Sequence, residues 1–275
     1  MFTLNCKGKL LIIDQPIIMG IINATPDSFY QQSRQIAIDE ALQRAEKMLL
    51  EGATILDIGG QSTRPGADIV GADMEIERAL PIIDAIHQHF PDALISIDTF
   101  YASVALAAAT AGASIINDVS AGSLDEAVLQ TAANLRMPYI CMHNNGIPAG
   151  ANPLPRYDDV IQSILDFFIQ KLDVCNKAGI KDLIIDPGFG FGKTVEENFE
   201  LVRRLSNLTI LDKPILLGVS RKSSIYKTLG ITAEEALNGT TVLHSIGLLQ
   251  GANILRVHDV KEAVETVNLM KMLKG

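Results

Sequence analysis

Several features that would fix a function class outright are missing from this 275-residue sequence. No run reaches the ~18–20 uninterrupted apolar residues of a membrane-spanning helix. The first nine residues, Met1 to Lys9, lack the charged-then-apolar pattern of a signal peptide, so a cytoplasmic protein is expected. Cations are in deficit. Lys plus Arg is 23 against 32 for Asp plus Glu, a formal net charge of −9. An acidic surface repels phosphate backbones and anionic lipid, so neither a nucleic acid nor a membrane is expected as a partner. Cysteines are few. Cys6, Cys141 and Cys175 show no metal-ligand spacing and read as buried or free thiols in a reducing compartment. There is no linker, low-complexity stretch or shift in composition that would divide the chain, and no Walker lysine pattern.

What is present is alternation. Eight short β-branched runs recur: Ile17–Ile22, Ile55–Ile58, Leu94–Ile97, Ile115–Asp118, Pro138–Met142, Leu183–Ile185, Ile215–Val219 and Ile254–Val257. They are apolar without strict alternation, as strands covered on both faces should be. Apolar residues at helical spacing lie between them, as in Ile76, Ala79, Leu80, Ile83, Ile86 and in Ile161, Ile164, Leu165, Phe168, Leu172, Cys175. Capping-box spacing occurs at Ser123/Glu126, Thr194/Glu197, Thr232/Glu235 and Asp259/Glu262. Strand–helix alternation implies parallel strands, and eight units predict an α/β fold of the (β/α)8 TIM-barrel class in a single domain over 1–275. Residues 1–15 precede the first barrel strand and are expected to form a hairpin closing the barrel bottom.

The chemistry is concentrated after the strands. In order, the strand ends carry Asn23, Asp57, Asp98, Asn117-Asp118, Met142-His143, Asp186, Ser220-Arg221-Lys222 and Arg256-Val257-His258. The strand starts carry nothing comparable. In a barrel the carboxyl ends converge on one pocket. A lone Asp after a strand is usually a helix cap, and a lone His is usually a satisfied core residue. So many polar ends in one pocket would cost stability unless they bind something. Arg64, Arg221, Lys222, Arg256 and His258 bring cationic donors onto an acidic protein, which favours a phosphorylated or pyrophosphorylated substrate. Asp98, Asn117 and Asp186 offer acceptors and an amide suited to a flat heterocycle with several N–H donors. No spacing supports a Ser-His-Asp arrangement or a transition-metal cluster. Asn23, a neutral oxygen donor, would suit a weakly held Mg2+ that keeps most of its waters.

These segments resemble the dihydropteroate synthase family of pterin-binding barrels. The matching stretches are Met19–Phe29, Asp57–Gly66, Ser96–Thr99, Ile116–Ser120, Met142-His143, Asp186–Thr194, Gly218–Ser223 and Arg256–Asp259, in family order over nearly the whole chain. The resemblance implies a folate-biosynthesis transferase. It would join para-aminobenzoate to 6-hydroxymethyl-7,8-dihydropterin diphosphate, releasing pyrophosphate by a dissociative mechanism. It further implies that Asp98, Asn117, Met142, Asp186 and Lys222 hold the pterin, and that Asn23, with its Mg2+, Thr63, Arg64, Arg256 and His258 hold the diphosphate. Phe29, Thr63, Pro65, Phe191, Ser220 and Lys222 would shape the aminobenzoate site. Asp98, Lys222, Arg256 and His258 would carry the catalysis, and the last helices would form a homodimer. Sulfonamides, shaped and charged like aminobenzoate, would compete with it. Two loops depart from the family's usual pattern, at Tyr30–Arg34 and at Asn144-Asn145. A methyltransferase of the same barrel group would keep the pterin carboxylates without needing Ser-Arg-Lys or Arg-Val-His. A pterin-binding relative without catalysis would have less reason to fill the ligand positions. A phosphate-binding aldolase or lyase would want a Schiff-base lysine or a metal cluster.

Overall fold

A computed structural model of the chain describes residues 1–24, 31–61, 69–144 and 157–274, with the side chains of 31–35 and 274 left aside. It opens with an antiparallel hairpin, β1 (Phe2–Cys6) and β2 (Lys9–Ile13). The strands join at Lys7-Gly8, both with positive φ (52° and 93°), which matches the twist of a two-residue hairpin turn. Eight barrel strands follow: β3 (Ile17–Asn23), β4 (Ile55–Gly59), β5 (Leu94–Asp98), β6 (Ile115–Asp118), β7 (Tyr139–Met142), β8 (Leu183–Asp186), β9 (Leu216–Leu217) and β10 (Ile254–Val257). Each predicted run overlaps one of them, with ends that agree to within two residues. All pair in parallel, in the order β8-β7-β6-β5-β4-β3-β10-β9. A parallel bridge between Ile185 and Ile215 joins the two ends, so the sheet is a nearly closed barrel.

Helices alternate with the strands: α1 (Gln31–Glu51), α2 (Ala72–His89), α3 (Ala102–Ala111), α4 (Ala127–Leu135), α5 (Val160–Ala178), α6 (Val195–Arg203), α7 (Ser223–Leu229), α8 (Leu237–Leu249) and α9 (Val260–Lys274). Of the four predicted capping boxes only Thr194/Glu197 closes in both directions, at the start of α6. Two of the others fail because a different partner takes the group: Ser123 Oγ donates to the Ser120 carbonyl, and the Asp259 carboxylate is held by Arg221. At the third, Glu235 does bind Thr232, but no helix begins there. The α5 start is capped instead by Asp159, which accepts from the N–H groups of Ile161 and Gln162.

Successive residues of a strand point to opposite sides of the wall, so the barrel has two apolar compartments. The outer one packs strand residues such as Leu56, Ile58, Ile97 and Ile116 against helix residues such as Ile83, Ile86, Ile164 and Phe168. The inner one is a plug at the bottom. Leu4, Cys6, Leu11 and Ile13 of the hairpin meet Ile17, Met19, Ile55, Ile115, Ile140, Ile184, Leu216 and Ile254 of the wall. The hairpin therefore packs its apolar face against the inner wall of the barrel. It is tied laterally by Asn5 N–H to the Asp182 carboxylate (3.0 Å) and by Lys7 Nζ to the Ala109 carbonyl (2.5 Å). Burying each apolar side chain of the plug contributes roughly 1.5–3 kcal/mol. Cys6, Cys141 and Cys175 are buried free thiols. Among the described residues, no helix is long and apolar enough to cross a membrane.

Candidate active site

Directly above the plug, the inward-facing residues change character. Register places Asp57 beside Ser96 on neighbouring strands, and one step higher Gly59, Asp98 and Asn117 lie in a row. Asp186 on β8 is level with Met142 on β7, and Arg256 on β10 is level with Met19 on β3.

These side chains form a continuous network. The Arg256 guanidinium donates Nε–H to Asp57 Oδ2 and Nη2–H to Asp98 Oδ2, each at 2.6 Å. Asn117 Nδ2 donates to the same Asp57 oxygen at 3.1 Å. Asp57 is fully buried, and its Oδ1 has no hydrogen-bond partner among the described residues. Sequence reasoning placed Asp57 at a strand end but gave it no role. Its parity with Asp98, two strand ends carrying Asp in neighbouring register, was the available signal.

Burial drives the electrostatics. It pushes the Asp98 carboxyl up to about 7, partly offset by Arg256 and reinforced by Asp57. Burial likewise raises Asp186, whose carboxylate is helped by Lys222 and by a hydrogen bond from Gly188 N–H (2.8 Å). It lowers the Lys222 amine to about 8, with Asp186 working against the shift. For Arg256, burial opposes the charge but Asp57 and Asp98 outweigh it, so its pKa rises. Two buried carboxylates and a lysine are thus held away from their ordinary titration ranges in one cleft, the usual mark of a functional site.

The β8 loop forms one wall. Lys222 Nζ donates to the Phe189 carbonyl and lies 4.5 Å from the Phe191 ring centroid, a cation–π distance. Next to it, the β9 and β10 loops are joined by Ser220 Oγ, which accepts from His258 N–H (3.2 Å) and bonds His258 Nδ1 (3.0 Å). Asn23 is exposed at the end of β3, beside Gly59. Met142 is buried at the floor of the cleft.

Asp98, Asn117, Met142, Asp186, Phe191, Ser220, Lys222, Arg256, His258 and Asn23 all lie at the carboxyl rim of the strands. Phe29, Thr63, Arg64 and Pro65 fall outside the described residues. One residue must be moved. Arg221, read as a cationic donor to a phosphate, points away from the cleft. Its guanidinium grips Asp259 through two bonds of 2.8 Å and also donates to the carbonyls of Ala233 and Glu234. Its φ of 53° reverses the backbone between Ser220 and Lys222. Asp118 is likewise structural, accepting from Tyr139 O–H (2.6 Å), Ser120 N–H and Gly122 N–H on the outer side of the barrel wall.

Comparison with known proteins agrees with this geometry. Residues 19–258 match the family model of the pterin binding enzymes. The chain is 40% identical over 267 residues to the dihydropteroate synthase of Escherichia coli K12, covering 96% of this chain and 94% of that protein. The structure of Yersinia pestis dihydropteroate synthase in a sulfonamide drug complex superposes with a TM-score of 0.92 at 40% identity, covering 99% of both chains. That of the Xanthomonas albilineans enzyme with 4-aminobenzoic acid gives 0.91 at 37% identity, covering 99% of this chain and 98% of that one. The chain belongs to the pterin binding enzymes and, within them, to the dihydropteroate synthase family.

Proposed function

We propose that the protein is a dihydropteroate synthase acting as one domain. It condenses 6-hydroxymethyl-7,8-dihydropterin diphosphate with para-aminobenzoate to give 7,8-dihydropteroate and pyrophosphate, a step of folate biosynthesis. The observation that carries the reading is the buried inner ring, in which Arg256 bridges Asp57 and Asp98, with Asn117 on the same network and Asp186 and Lys222 beside it. Such a ring is expensive to bury unless a ligand completes it.

In this reading Asp186, Asp98 and Asn117 take the N–H and ring-nitrogen edge of the pterin. Met142 packs on its face, and Lys222 lies between it and the aminobenzoate. Arg256 and His258 face the diphosphate, with Thr63 and Arg64. Phe191 and Ser220, with Phe29, Thr63 and Pro65, line the aminobenzoate side. The chemistry is dissociative. The bond between the exocyclic methylene carbon and the diphosphate oxygen breaks, and its electron pair leaves with pyrophosphate. Positive charge stays on the pterin, where the Asp98 carboxylate stabilises it. The aminobenzoate nitrogen then donates its lone pair to the carbon and sheds a proton. No protein nucleophile is needed. The residues supply preorganised charge of both signs, Asp98 for the cation and Arg256 for the leaving anion.

Among the described residues no three His, Cys, Asp or Glu side chains gather as a metal site. The donor set fits Mg2+ only as an ion that arrives with the diphosphate: Asn23 would offer it one neutral oxygen at the rim. Bound there, it would neutralise charge on the leaving group. We further assign the protein to the cytoplasm as a homodimer. Exposed Val242, Ile246 and Leu249 on α8 and Leu269, Met272 and Leu273 on α9 support that assembly.

The test is a coupling assay with purified protein, Mg2+, the pterin diphosphate and labelled aminobenzoate. Labelled dihydropteroate is the expected product, and sulfonamides are expected to compete with aminobenzoate. No labelled product, or competition against the pterin substrate alone, would overturn the reading.

A further inference from the structure

The β8 loop is built to be unstable on its own. Gly188, Gly190 and Gly192 all have positive φ (69°, 84° and 59°). Two of them have no room for a side chain. A Cβ on Gly188 would lie 2.0 Å from the His143 carbonyl oxygen, and one on Gly190 would lie 2.9 Å from Lys222 Cδ. A loop so rich in glycine has many alternative conformations, and its present one must be held from outside its own backbone.

The holding group is Lys193. Its side chain is 5% exposed and folds back beneath the loop that precedes it. Burial lowers its amine to about 7, with Asp186 opposing the shift. In the ammonium form it has three N–H donors, and three acceptors surround it: the Gly188 carbonyl (3.0 Å), the Phe191 carbonyl (3.1 Å) and His143 Nδ1 (2.9 Å). In that form no donor is left for a ligand. His143 is itself fixed. Its ring packs edge-on against Phe167 with centroids 4.8 Å apart, and its backbone N–H donates to the Asp186 carbonyl (2.8 Å). For Nδ1 to accept, the ring must be neutral with its proton on Nε2. Burial and the Lys193 charge favour this, holding the imidazole down to about 3.

The loop that Lys193 ties is the one that positions Lys222. The Phe189 carbonyl accepts from Lys222 Nζ, and the Phe191 ring stands over it. Contact therefore runs unbroken from His143 through Lys193 and the loop to Lys222. We propose that Lys193, braced by His143, is a positioning residue that sets the place of Lys222 and Phe191 toward the aminobenzoate without touching substrate. The inference rests on the reading of the site given above.

The decisive experiment is Lys193→Met, which keeps the length of the side chain and removes its donors. Wild-type turnover, measured first, tests the reading of the site separately. In the variant, the KM for aminobenzoate is expected to rise at least about tenfold, as for loss of more than one buried hydrogen bond. Binding of inorganic pyrophosphate, which depends on the Arg256 side of the cleft, is expected to stay within about twofold. The combination Lys193→Met with Lys222→Met is expected to be no worse than Lys222→Met alone, because the first acts through the second. Additive losses, an unchanged KM, or equal losses for aminobenzoate and pyrophosphate would overturn the proposal. Should Lys193→Met fail to fold, a second pair decides. His143→Asn keeps an acceptor near the Nδ1 position and His143→Leu does not, and both lose the ring. The Asn variant is expected to retain the wild-type KM more closely, and equal values would overturn the proposal.

Discussion

The lower and upper halves of the barrel interior are made from the same eight strands and carry opposite chemistry. Below, Leu4, Leu11 and Ile13 of the hairpin pack in one apolar cluster with Met19, Ile55, Ile140 and Ile254. Above, two residues further along those strands, or four in the case of Asp98, the buried Asp57, Asp98, Asn117 and Asp186 and the half-buried Arg256 lie in contact or close to it. The lower layer gains free energy from every side chain it removes from water. The upper layer loses it, since desolvation raises Asp98 and Asp186 and lowers Lys222. The comparison teaches a division of labour. The plug stabilises the wall so that the rim can hold groups whose best partner is a ligand.

The comparison can be broken from either side. The largest effect is expected from Arg256→Ala, which leaves Asp57 and Asp98 facing each other without their shared cation. Removing one partner of a buried ion pair costs about 3–5 kcal/mol, so urea unfolding should show a large loss, and pyrophosphate binding should fall far more than binding of bare pterin. Equal losses for both ligands would separate Arg256 from the leaving group. Next, Leu4→Ala in the hairpin is expected to cost about 2–5 kcal/mol of stability by opening a cavity in the plug, while KM for both substrates stays unchanged. A changed KM would mean that the plug shapes the site as well as supporting it.

A smaller effect concerns pH. The folded-state pKa of Asp98, about 7, lies above its ordinary value of 3.8. The sign follows: folding favours the protonated form, so the contribution of Asp98 to stability is full below about 4 and is lost as pH rises through about 7. Unfolding by urea at steps between these values should show this decline in the ligand-free protein. The decline should flatten in Asp98→Asn. An identical pH dependence in the variant would assign the titration to another group.

Much of this arrangement was legible in the sequence, and the parts that were not have physical reasons. The strands were readable because inner and outer faces are both buried, which leaves unbroken β-branched runs. The rim was readable because polar residues recur just after them. What a linear pattern lacks is direction. Asn117 and Asp118 are neighbours, yet one faces the cleft and the other bonds Tyr139 outside the wall, a consequence of the two-residue period of a strand. Arg221 and Lys222 are also neighbours, and a positive φ at Arg221 sends its side chain to Asp259 while Lys222 turns inward. That same contact removes Asp259 from its expected cap. His143 and Lys193 gave no signal as a pair, because fifty residues separate them and only the β7–β8 register brings them together.

The upper ring trades stability for binding, and Asp186→Asn separates the two. The amide keeps an oxygen for Gly188 N–H and removes a desolvated charge. Unfolding free energy should rise by about 1 kcal/mol, while affinity for the pterin diphosphate falls by at least about 2 kcal/mol. A variant that loses stability and affinity together, or keeps its pterin affinity, would contradict the claim.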